Sequence, residues 1–116
     1  MDGLGRRPGP GRMSASRVDA LRILLKKRPG DTRLLFGLAV EQLNAGQLED
    51  GVESLRNYLD ATDDEGNAWG RLADALLELD REEEAREALQ TGIAASLRHG
   101  HPTMAEEFQE TLDALG

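Results

Sequence analysis

The chain has 116 residues, 39% of them hydrophobic but only 3% aromatic, so Leu and Ala must build whatever core it has. That balance suits helix against helix better than a β-sandwich, and the absence of cysteine excludes disulfides and thiolate metal sites. Fourteen basic residues face 22 acidic ones, a net charge of −8, and no apolar run approaches the roughly 20 residues of a membrane span.

The charge is unevenly distributed. Residues 1–28 hold Arg6, Arg7, Arg12, Arg17, Arg22, Lys26, Lys27 and Arg28 against Asp2 and Asp19, a net of +6, so residues 29–116 carry −14. An acidic body argues against nucleic acid, which needs clustered Lys and Arg on the docking face. The N-terminus has arginines but no apolar stretch behind them, so it is not a secretory signal. A cytoplasmic protein with no membrane and no nucleic-acid partner is the expectation.

Residues 1–14 are read as a disordered basic leader, too rich in Gly, Pro and Arg to offset the entropy of ordering; Met13 is a second candidate start. The stretch 15–30 is expected to hold one helix. Ser16 opens it with Asp19 as a capping-box partner, Val18, Leu21, Leu24 and Leu25 share one face, and Pro29-Gly30 stops it.

Over 31–64 the pattern predicts a helical hairpin. Asp31 caps a helix near 32–44 with Leu34, Leu35, Leu38, Ala39 and Leu43 apolar, and Gly46 makes the turn. A second helix, near 48–60, turns Leu48, Val52, Leu55, Tyr58 and Leu59 inward. The span 65–99 repeats the plan after the acidic loop Thr62–Gly66. A helix near 66–79 carries Trp69, Leu72, Ala73, Leu76 and Leu77. Asp80 and Glu83 cap a longer one, near 81–98, with Ala85, Ala88, Leu89, Ile93 and Leu97 on its apolar face. Residues 100–116 are read as a final helix, capped by Thr103 and Glu106, that covers the last exposed face.

The two hairpins echo each other at a spacing of about 34 residues. Leu35 returns as Trp69, Leu38 as Leu72, Ala39 as Ala73, Gly51 as Ala85 and Leu55 as Leu89, and one step back Leu55 and Leu59 match Leu21 and Leu25. Such a period is the mark of an α-solenoid of antiparallel helix hairpins, about six helices in all. Solenoids offer surfaces that hold other proteins.

The unit Trp69-x-x-Leu72-Ala73-x-x-Leu76, followed by Ala85-x-x-x-Leu89, resembles the tetratricopeptide repeat. Leu35, Leu38, Ala39, Gly51 and Leu55 carry the same pattern more faintly, and Leu21, Leu24 and Pro29 fit the second helix of a preceding half repeat. Gln42 stands where the family has tyrosine, and Asp63 where it closes on proline. The resemblance implies a half repeat, two full repeats and a capping helix, with the first helix of each repeat lining a concave groove.

On that reading the groove is lined by Arg33, Phe36, Val40, Leu43 and Asn44 from one repeat and Asn67, Gly70, Arg71, Asp74 and Leu77 from the next. Phe36 and Val40 lie one turn apart and outside the Leu35/Leu38 core set, so three readings stand: a face for a partner's peptide or helix, a face for self-association that makes the chain a structural subunit, or a face covered within the monomer by the N-terminal segment. Of the Lys, Asn and Arg clamp by which some members grip chaperone tails, only Asn67 and Arg71 have suitable chemistry.

Nothing points to an enzyme or a cofactor. His99 and His101 flank a helix-ending glycine, a pattern of a solvated turn rather than a metal site, and no Gly-rich phosphate loop or nucleophile motif occurs. The acidic run Glu82-Glu83-Glu84 reads as a solvated helix face. The expected role is a non-enzymatic protein–protein interaction module.

Overall fold

The computed structural model describes residues 10–116, with side chains from Ser16 onward. Among these residues the fold is all helical: α1 (Pro10–Lys27), α2 (Thr32–Asn44), α3 (Leu48–Ala61), α4 (Asn67–Glu78), α5 (Glu82–Arg98) and α6 (Pro102–Leu115), with no strand. Each helix packs chiefly on its neighbours in the chain, and the described chain is elongated, 53 × 32 × 23 Å. None of the helices is long and apolar enough to cross a membrane.

The expected leader lies outside the described residues as far as residue 9. From Pro10 to Lys27 the chain is helical, so residues 10–14 are not the coil expected there, and Ser16 is an interior residue of α1 rather than its cap.

Leu55, Leu72 and Leu76 are fully buried, and each such side chain contributes about 1.5–3 kcal/mol. Around them lie Ala39, Ala68, Ala73, Ala75, Ala85 and Ala88, whose small side chains let the helix axes approach. Phe36, Leu43, Tyr58, Leu59, Trp69, Phe108, Leu112 and Leu115 close the edges of this core. Trp69 packs against it only partly buried. Leu97, expected on the apolar face of α5, is instead 57% exposed.

Three polar side chains among the described residues are buried, Gln42, Ser54 and Ser96, and the first two are paired. Gln42 is 2% exposed and hydrogen-bonds the buried Ser54 of α3. With its amide oriented to satisfy both ends, it also donates to the Asp50 carbonyl (3.1 Å) and accepts from Arg22 Nη2 of α1 (3.3 Å). Gln42 therefore links three helices through bonds that a buried amide must make.

Helix ends follow from local chemistry. Asp31 accepts from the backbone N–H groups of Arg33 and Leu34 and so caps α2 as its position implies. Asp64 does the same for α4, its Oδ2 accepting from Gly66 N at 2.8 Å and Ala68 N at 2.9 Å. The caps expected at Asp80 and Thr103 are not made: α5 starts from Arg81 and α6 from His101, neither with a side-chain cap. Asp80 instead ends α4. It has φ +59°, and the bonds Asp80 N to Leu77 O and Arg81 N to Leu76 O close a Schellman turn. Gly46 and Gly100 close α2 and α5 with the same pair of bonds. In α6, Pro102 takes the first turn and leaves Thr103 inside the helix.

Candidate functional site

The helices α2 and α4 meet along one face through Phe36. Its ring centroid lies 5.0 Å from that of Tyr58 on α3, and the Arg71 guanidinium of α4 sits over it at 5.7 Å. Such a stacked cation is worth about 0.5–1 kcal/mol at an exposed site. Phe36 is therefore half-buried rather than free, covered on two sides by residues of this same chain. Thr32 and Arg33 join Phe36 and Tyr58 around a shallow recess of about 210 Å³.

One turn further along, Val40 is half-buried and Leu43 forms one wall of a second recess, about 160 Å³, shared with Leu48, Arg71, Asp74, Ala75 and Glu78. Leu43 reaches this wall because Gly51 of α3 offers no side chain: a Cβ there would stand 2.8 Å from Leu43 Cγ. The recess has an aliphatic floor and a charged rim.

Asp74 and Glu78 are one turn apart on α4, where like charges repel. Partial desolvation by its neighbours, chiefly, and then the Glu78 charge hold the Asp74 carboxyl above its usual range although the residue is exposed, while Arg71 pulls the other way. Neither acid, nor Arg33 or Arg71, takes part in an ion pair among the described residues. Several other charges are matched: Arg81 and Arg56 both reach Glu84, Arg86 reaches Glu82, and Arg98 reaches Asp63. The α2–α4 face thus combines recesses, apolar walls and uncompensated charge of both signs.

Of the residues expected to line the groove, Arg33, Asn44, Asn67, Arg71 and Asp74 are exposed. Phe36, Val40 and Leu43 are half-buried, and they share this face with Arg71 and Asp74. Leu77 packs against the core and offers little free surface. Gly70 is covered. Phe108 of α6 lies across it, so that a Cβ on Gly70 would meet the ring at 2.8 Å. Sequence reasoning overlooked Tyr58, Leu48 and Glu78 as members of this face. The first two are apolar or aromatic residues on an inward stripe, and that stripe gave no sign that their edges would reach a neighbouring helix.

The two histidines are engaged. His99 Nε2 lies 2.9 Å from Asp63 Oδ2, and His101 Nε2 lies 2.6 Å from Glu65 Oε1. Hydrogen bonds from Arg98 first, and then His99, hold the Asp63 carboxyl below its usual range; His101 does the same for Glu65. These pairs tie the loop before α4 to the loop before α6. Among the described residues, no group of three or more His, Cys, Asp or Glu side chains is placed to hold a metal ion.

No known protein family matches this chain, and no curated protein matches it significantly.

Proposed function

We propose that this chain is a non-enzymatic, tetratricopeptide-like binding module: a short α-solenoid of helix hairpins that holds a segment of a partner protein against α2 and α4. The observation that carries this reading is the recess bounded by Leu43, Leu48, Arg71, Asp74 and Glu78, where Asp74 stays unpaired beside a like charge. An arrangement that costs stability without serving the fold fits a surface kept for a ligand. Apolar walls with few polar groups give a peptide both contact area and register.

Self-association through the same face, which would make the chain a structural subunit, is the alternative. The face is short, so micromolar affinity is expected.

The test is capture of partners from a cell extract by the full chain and by a variant carrying Arg33→Glu and Asp74→Lys, both exposed and unpaired. The variant should keep its melting temperature and lose the captured protein. Glu87→Lys, exposed on α5, should keep it. Equal capture by the groove variant would overturn the assignment.

A further inference from the structure

The two terminal helices carry opposite, unanswered surfaces. On α1, Ala20, Ile23, Leu24 and Lys27 fall at i, i+3, i+4 and i+7, the spacing of a helix-packing stripe, yet all four are exposed. Ile23 is 58% and Leu24 40% exposed, two of the three large apolar side chains so placed among the described residues. Lys26 and Arg28 flank the stripe, both exposed, while Arg17 at its start is paired with Glu41 at 3.7 Å. Among the described residues only α2 packs substantially against α1, where Leu21 lies against Gly37 and Val18 is buried.

The outer face of α6 is the complement. Glu106, Gln109, Glu110 and Asp113 repeat the same i, i+3, i+4, i+7 spacing, all exposed, with Glu107 beside them. The helix has no Lys or Arg, and among the described residues none of its four acids is in an ion pair. Its apolar residues Phe108, Leu112 and Leu115 are spent on the core of its own chain.

We propose that a second copy of this chain occupies the α1 stripe, presenting the acidic face of its α6 to the basic, apolar face of α1. Charge decides the pairing. Two α1 stripes facing each other would set Lys26, Lys27 and Arg28 against their like, and two α6 faces would oppose four acids to four, whereas α1 against α6 attracts. The contact is heterologous, joining different patches on the two copies. Ile23 and Leu24 lie under the methylene stems of the Glu and Gln side chains, which cover apolar surface while keeping their polar ends in water. One helix pair is a small interface, so the association is weak, concentration dependent and sensitive to salt. The inference stands apart from the α2–α4 docking face and does not need it.

Sedimentation of the full chain tests it. At low ionic strength the average mass should rise with concentration above the 12.7 kDa of one chain, and added salt should return it to that value. One variant carries Lys26→Glu, Lys27→Glu and Arg28→Glu; another carries Glu106→Lys, Glu110→Lys and Asp113→Lys. With helicity checked by circular dichroism, each alone should stay monomeric, and an equal mixture should associate again. A wild-type chain that remains monomeric at every concentration, or variants that associate alone as well as the wild type, would overturn the proposal. Binding of the wild type to phosphatidylserine vesicles without self-association would assign the stripe to an anionic surface and overturn it too.

Discussion

Phe108 rests on Gly70, and by that contact α6 is seated on α4 as well as on α5. The same ring lies close to Gly92 of α5, where a Cβ would stand 3.0 Å from it and 2.9 Å from Trp69 Cβ. Two glycines on two helices make the slot that accepts one aromatic side chain. Gly92→Ala should therefore destabilise the fold by about 1–3 kcal/mol despite alanine's better helix propensity, because neither Trp69 Cβ nor the ring can yield freely. Urea unfolding monitored by circular dichroism measures it.

Gln42→Ala removes the buried link between α1, α2 and α3 and leaves the Ser54 hydroxyl and the Asp50 carbonyl short of a partner. A loss of about 2–4 kcal/mol is expected from the cavity and the unmet hydrogen bonds together. Gln42→Leu should recover part of the packing but not the polar contacts, which the same unfolding experiment resolves.

Asp80 occupies the left-handed position that Gly46 and Gly100 fill at the ends of α2 and α5. Asp80→Gly should stabilise the chain by about 0.5–1 kcal/mol, since glycine adopts that conformation without a Cβ clash. Thermal melting should register a rise of a few degrees, on the order of 4–8 °C per kcal/mol.

Much of the architecture was legible in the residues, and the limits of that legibility have physical causes. The helices expected from the echo at about 34 residues form close to where it places them, and Ala39, Gly51, Ala73 and Ala85 are buried as that pattern requires, because close helix contact selects small side chains locally. The last helix was harder. Ala105, Phe108, Leu112 and Leu115 repeat the spacing of Trp69, Leu72, Leu76 and Leu79, but two residues out of step, so Phe108 was not seen to cover Gly70. Gln42 read as a departure from an aromatic position, since only the packed structure shows Arg22, Asp50 and Ser54 converging on it. The candidate site was legible as a helix face but not as recesses. Its walls come from Leu48 and Tyr58, which belong to α3 and whose place depends on packing between helices.

The lowered Asp63 and Glu65 carboxyls fix a sign for acid behaviour. A carboxyl with a depressed pKa in the fold contributes stability above its unfolded pKa and loses that contribution as pH falls through the folded one. Stability should decline on acidification below the ordinary Asp and Glu values of 3.8 and 4.5. A variant with Asp63→Asn and Glu65→Gln should show a flatter decline in urea titrations at successive pH values.

Asp74 has the opposite sign. Its raised pKa means that the fold disfavours the charged form, so its contribution falls as pH rises through that value. Asp74→Asn should stabilise the chain at neutral pH by a few tenths of a kcal/mol, about the size of a like-charge pair one turn apart. The same change should weaken partner capture. Melting and capture measured side by side separate the two effects.

Hydrogen exchange of the full chain, free and with its captured partner, reads the binding face directly. The account predicts slowed exchange concentrated in Thr32–Asn44 and Asn67–Glu78, the spans of α2 and α4, with α5 unchanged. Protection confined to α3 and α5, or no change anywhere while the partner is bound, would contradict it.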